Sequence, residues 1–238
     1  GFLSNVHAQV DRSVQPQAGP APEINFGTPK EHTFKNGLTL LVVENHKLPQ
    51  VSVSLLIDNP LYVEGDKAGA SGLLGRMMGK GSKNIPKDDF EEEIDFMGAR
   101  LNINSEGAFA SSLKRYFPRV FEMMADAVLH PSFLEEEFEK EVNKTLEGIK
   151  SNEKDVKTAA RRVENILSYG KNHPLGEYVS EESVKKVTLE DLKKLYEKNF
   201  HALKAYVIIV GDIDFDSAKN LTKQYLGNWD KGELVISE

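Results

Sequence analysis

The chain is 238 residues long, 39% hydrophobic and 28% charged, the proportions of an ordinary water-soluble protein with one large domain or two small ones. Thirty Lys and Arg against 37 Asp and Glu give a net charge of -7, which argues against nucleic-acid binding as the main activity. Cysteine is absent, which excludes disulfides, thiolate nucleophiles and Cys-ligated zinc. No run approaches the ~18 consecutive apolar residues of a membrane span.

Residues 1–29 read as an extended, weakly ordered leader. Pro16, Pro20 and Pro22 with Gly19 interrupt a stretch that has no apolar periodicity. Val6-His7-Ala8 before Gln9 has the small-residue character of a signal-peptidase site. It points to export, to the periplasm or cell envelope of a bacterium, although the same residues also read as an uninformative linker.

Order is expected from residue 30 to 238, as a single domain. His32–Phe34 and Leu38–Val43 flank Asn36-Gly37, which predicts a hairpin closed by a type I′ turn. Val51–Leu55 alternates as a half-buried strand. Ala70, Leu73, Leu74, Met77 and Met78 have helical spacing, as do Phe90, Ile94 and Met97. Leu101–Ile103 and Ala108–Leu113 form a second hairpin around Ser105-Glu106-Gly107. Helices are predicted over 116–129, 134–151, 155–169, 188–199 and 216–226. On the second, Leu134, Phe138, Val142, Thr145 and Ile149 share a face. Ala205–Val210 reads as a fully buried strand. Early strands, later helices and one late strand predict an α+β fold, a mainly antiparallel sheet covered by helices on one face.

The chemistry of the sequence is sparse. No two of the six histidines are spaced i, i+3 or i+4. His130 and His173 each precede a proline at an expected helix end, where capping or solvation is the simpler role. Gly79-Lys80-Gly81-Ser82 lacks the upstream spacing of a phosphate loop. Asp88–Glu93 suits the first turn of a helix, and Glu135–Glu139 reads as a solvated helix face. One segment is unusual. Opposite the apolar stripe of the 69–79 helix lie Gly72, Gly75, Arg76 and Gly79, and each interior glycine costs about 1 kcal/mol relative to alanine. Either something approaches closely on that face, or something large has been lost from it.

From about residue 30 onward the chain resembles the M16 metallopeptidases, the family of pitrilysin, insulin-degrading enzyme and the mitochondrial processing peptidase. The matching stretches, in order, are Phe34–Asn45, Gly65–Gly69, Met77–Ser82, His173–Gly176, Thr188–Leu192 and Ile209–Asp212. Active members carry His-x-x-Glu-His on the helix at 69–79, two zinc ligands and a water-activating glutamate, with a third ligand from a later helix. Here those positions read Gly72, Gly75 and Arg76, and the third ligand is assigned to Glu147.

The resemblance therefore implies a non-catalytic domain with no metal or cofactor of its own, paired with a catalytic M16 subunit or domain that holds the zinc. It also implies that the chain is the N-terminal part of a longer one. Peptide substrates of the family add to a strand edge beside the zinc helix, which corresponds here to Leu101, Asn102, Ile103 and Asn104; the plain alternative is a structural strand. An Arg76–Glu147 ion pair is expected across the vacated site, and the glycine face is expected to be partly filled by neighbouring side chains. Two other functions stay open: an active peptidase with an unrecognised site, and a purely structural subunit like a respiratory core protein.

Overall fold

A computed structural model describes residues 28–152 and 155–233; the signal-peptidase reading and nearly all of the expected leader lie outside them. In chain order the elements are β1 (Lys30–Thr33), β2 (Thr39–Glu44), β3 (Gln50–Ile57), α1 (Ala70–Met78), α2 (Lys87–Phe96), β4 (Arg100–Asn104), β5 (Gly107–Leu113), α3 (Phe117–Leu129) and α4 (Glu135–Asn152). There follow α5 (Val156–Tyr169), α6 (Glu181–Lys186), α7 (Leu189–Asn199), β6 (Ala205–Gly211) and α8 (Phe215–Leu226). The fold is α+β.

The strands form one six-stranded sheet in the order β1-β2-β6-β3-β5-β4. All neighbours pair antiparallel except β2 with β6. The late strand β6 enters between β2 and β3 and joins them into one sheet. Strand alternation then sorts the side chains. Leu40, Val207, Leu55, Ala108 and Ile103 make one cross-strand row of buried residues. Val42, Ile209, Val53 and Ala110 make another, which ends at the partly buried Leu101. Helices α1, α3 and α8 pack on this face. The two alanines lie on β5, the strand that α3 crosses most closely.

The opposite face stays open among the described residues, and this corrects the reading of Ala205–Val210 as fully buried. Val207 and Ile209 are sealed, while Tyr206 and Val210 are 41% and 38% exposed. A continuous apolar run does not distinguish a strand covered on both sides from one covered on a single side.

The first hairpin also differs from expectation. Gly37 alone in its turn has positive φ, +89°, and its N–H bonds Phe34 O while Phe34 N–H bonds Leu38 O. That is a turn over 34–37 followed by a left-handed glycine bulge, not a type I′ turn, which needs two positive φ values. Asn36 is freed to donate from its side chain to Leu226 O and Trp229 O, at 3.0 and 3.2 Å. It thereby ties the hairpin to the end of α8. Glu137, placed by its acidic neighbours on a solvated face, is 9% exposed, with Lys87 and Lys140 at 3.4 and 3.1 Å.

Candidate functional site

Helix α1 starts at Gly69, whose φ of +106° is left-handed. Its free N–H groups are satisfied from outside the helix, because the Glu64 carboxylate accepts from Gly69 N–H and Ser71 N–H at 2.5 and 2.6 Å. Leu73, Leu74, Met77 and Met78 are fully buried, which fixes the rotation of the helix. Gly72, Gly75, Arg76 and Gly79 are thereby presented away from the core centre, toward α4 and the edge strand β4.

At Gly75 the lack of a side chain has a direct cause. A Cβ there would lie 2.8 Å from Ser105 N and 3.0 Å from Asn104 Cα. The backbone of the β4–β5 hairpin occupies that space, so the glycine is filled by main chain, not by the side chains that were expected. Gly72 has no such neighbour. The nearest atom to its missing Cβ is Arg76 Nη1, at 3.6 Å.

Arg76 reaches across to α4. Its Nη2 donates to Thr145 Oγ1 at 2.7 Å, and its Nε lies 3.5 Å from Glu141 Oε2. The expected Arg76–Glu147 ion pair does not form. On a helix of 3.6 residues per turn, position 147 is rotated about 200° from 145, and Glu147 is exposed on the far side. The residues of α4 that reach α1 are Glu141 and Thr145, with the buried Phe138 one turn earlier on the same stripe.

Glu141 is the group that the sequence reading missed. Its side chain is 4% exposed, and three cations converge on it: Lys80 Nζ at 2.9 Å, Lys144 Nζ at 3.1 Å and the Arg76 guanidinium. Burial pushes its carboxyl up, but the hydrogen bonds and charges of Lys80 and Lys144 outweigh that and leave it below the ordinary carboxylate value. A carboxylate on the apolar stripe of Phe138 and Thr145 was the available signal. These groups border a cavity of about 590 Å³ between α1, α2, α4 and β4. Gly75, Arg76, Leu101, Asn102 and Ile103 all line it. Asn104 instead backs Gly75, Gly72 flanks Arg76, and Glu147 stands apart.

This donor set does not fit a zinc ion. A guanidinium has no lone pair to offer, and the carboxylate at hand is already held by three cations. Among the described residues no group of three His, Cys, Asp or Glu is arranged to hold a metal.

Comparison with known proteins places this geometry. Residues 39–181, more than half of the chain, match the sequence profile of the insulinases, peptidase family M16. The chain belongs to that family. Residues 186–236 match a second profile, the peptidase M16 inactive domain. Among curated relatives, this M16 chain is 25% identical over 210 residues to human cytochrome b-c1 complex subunit 1, covering 84% of the chain and 43% of that protein. It is 26% identical over 225 residues to the mouse mitochondrial-processing peptidase subunit beta, covering 92% and 46%. The chain thus spans about half the length of the curated relatives it matches.

Solved structures share the fold. A peptidase M16 inactive domain from Pseudomonas fluorescens superposes with a TM-score of 0.78 at 21% identity, over 88% of this chain and 53% of that one. The first half of the periplasmic protease PqqL from Escherichia coli gives 0.72 at 21% identity, over 88% and 48%.

Proposed function

We propose that this M16 domain is non-catalytic and serves as a scaffold and peptide-binding partner for a catalytic zinc peptidase subunit or domain, in an exported proteolytic assembly. The observation that carries the reading is the cluster at the α1–α4 contact. Where the family resemblance puts two imidazoles and a glutamate on α1, this chain has two glycines and an arginine bound to α4. Position 75 would accept no side chain without displacing the hairpin backbone. Water activation by a metal needs three protein ligands and an open coordination position, and an Arg76–Glu141–Lys80–Lys144 cluster supplies neither.

Peptide binding is supported by β4. It is the last strand of the sheet, and among the described residues it makes no backbone hydrogen bonds outward. An extended chain could therefore pair with it, and Leu101–Ile103 line the adjoining cavity. Export to a bacterial periplasm rests on the Val6-His7-Ala8 pattern alone. The purely structural reading keeps one support, the similarity to a cytochrome b-c1 complex subunit.

Affinity capture with the full chain as bait tests the reading. The expected result is a companion bearing His-x-x-Glu-His that hydrolyses peptides only with its zinc. Chelator-sensitive cleavage by the homogeneous chain alone would overturn it. Capture confined to a membrane complex, together with no affinity for extended peptides, would favour the structural reading.

A further inference from the structure

The cluster on α4 is unbalanced. Within 4 Å of the Glu141 carboxylate stand three cations, Arg76, Lys80 and Lys144, so one negative charge is set against three positive ones. The remaining acids of the cavity, Glu91 and Asp95, come from α2 on the opposite side, and neither pairs with these cations among the described residues. Glu93, on the same helix, is committed to Arg119 through two hydrogen bonds of 2.6 and 2.8 Å. The cavity therefore has a cationic wall and an acidic wall, with the edge strand β4 between them.

The cationic wall is partly shielded from solvent. Lys80 is 19% exposed and Arg76 44%, so both are partly stripped of water while still lining the cavity. Arg76 is held by Thr145, and its Nη1 has no hydrogen-bond partner among the described residues. A guanidinium fixed on one side and free on the other is preorganised for a carboxylate. We propose that this cavity receives an acidic side chain, Asp or Glu, of an extended peptide paired on β4, with Arg76, Lys80 and Lys144 as its counter-charges.

This inference rests on the peptide-binding reading and adds selectivity to it. Alternate side chains of a strand added to β4 point to the same face, so one residue of the peptide would be presented to the cavity. The acidic wall of Glu91 and Asp95 disfavours a second acid beside it. A peptide's own C-terminal carboxylate has the same chemistry, and the experiment separates the two sources.

The test is titration of the full chain with extended peptides of eight to ten residues, acetylated and amidated, identical except for Glu, Gln or Lys at one scanned position. A further arm carries Gln with a free C-terminus. Backbone amide shifts at Leu101–Asn104 report whether the peptide sits on β4. The Glu peptide is expected to bind at least tenfold more tightly than the Gln peptide and to weaken as salt rises. K144Q and R76Q are each expected to shrink that ratio severalfold. Equal affinity of the Glu and Gln peptides on β4 would overturn the acid preference and leave peptide binding standing. Preference for the free C-terminus over internal Glu would overturn the side-chain assignment. Absence of any binding at β4 would overturn both readings.

Discussion

The glycines of α1 provide a test of sign, because two substitutions that look alike in sequence are expected to act in opposite directions. In an exposed helix, Gly→Ala stabilises by roughly 0.5–1 kcal/mol, since glycine loses the most backbone freedom on folding. At Gly72 the new Cβ meets only the Arg76 guanidinium, Nη1 at 3.6 Å and Nη2 at 3.9 Å, an ordinary contact with the end of a flexible side chain. Nothing opposes the gain there. At Gly75 the Cβ falls 2.8 Å from Ser105 N and 3.0 Å from Asn104 Cα. Backbone in a paired hairpin does not yield cheaply, and overpacking of this kind costs about 1–3 kcal/mol. The net effect of Gly75→Ala is a loss of about 1 kcal/mol once the helix gain is subtracted. For a chain of this size 1 kcal/mol moves the melting temperature by about 2–4 °C. Calorimetry or circular-dichroism melting should therefore show Gly72→Ala raised by about 2 °C and Gly75→Ala lowered by a similar amount. Equal stabilisation by both would refute the close approach of α1 to the β4–β5 hairpin, and with it the explanation of why position 75 is glycine.

Two further outcomes follow from titratable groups. Burial alone would raise the Asp191 carboxyl, but hydrogen bonds from Lys67, at 2.6 Å, and from Thr188 bring it down to about 2. Because the folded value lies below the unfolded one, the stabilisation is complete above about pH 4 and is lost as pH falls toward 2. Discounted for the solvent that reaches both partners, it amounts to about 1 kcal/mol. Urea melts of wild type and Asp191→Asn should differ at pH 6 and converge near pH 2; a constant difference would contradict the assignment. Burial pushes the Tyr196 phenol up to about 12, and its hydroxyl donates to Val128 O and Leu129 O at the end of α3, at 2.8 and 3.0 Å. Tyr196→Phe strands those carbonyls and should cost about 1–2 kcal/mol at neutral pH. Since the folded phenol titrates above the unfolded one, the wild-type advantage should hold below pH 10 and fade as pH rises toward 12. An unchanged advantage at high pH would refute it.

Most of the architecture was legible because its signals are local. Alternation along Val51–Leu55 and the 3.6-residue spacing of Leu73, Met77, Phe90 and Ile94 depend only on neighbouring residues. What failed depends on other parts of the chain. Helix α6 is six residues long and is capped reciprocally by Ser180 and Ser183, too short for periodicity to register and without the acidic residue that usually marks a capping box. The turn at Asn36-Gly37 follows the needs of α8, whose end the Asn36 side chain binds. The site divides in the same way. Gly72, Gly75 and Arg76 stood out because glycine in a helix has a cost that invites a cause. Glu141 did not, because a glutamate on a charged helix is unremarkable until Arg76 of α1 and Lys80 just after it close on it from across the cavity. Assigning the α4 position to Glu147 followed motif order along the chain, whereas the rotation of the helix selects 138, 141 and 145.

The central claim, that a cation cluster stands where a catalytic relative holds its metal, is tested most directly by the zinc content of the full chain. Purified protein, incubated with excess zinc and desalted, should retain far less than one equivalent by elemental analysis. Retention of one tightly held zinc per chain, released together with activity by a chelator, would contradict the account.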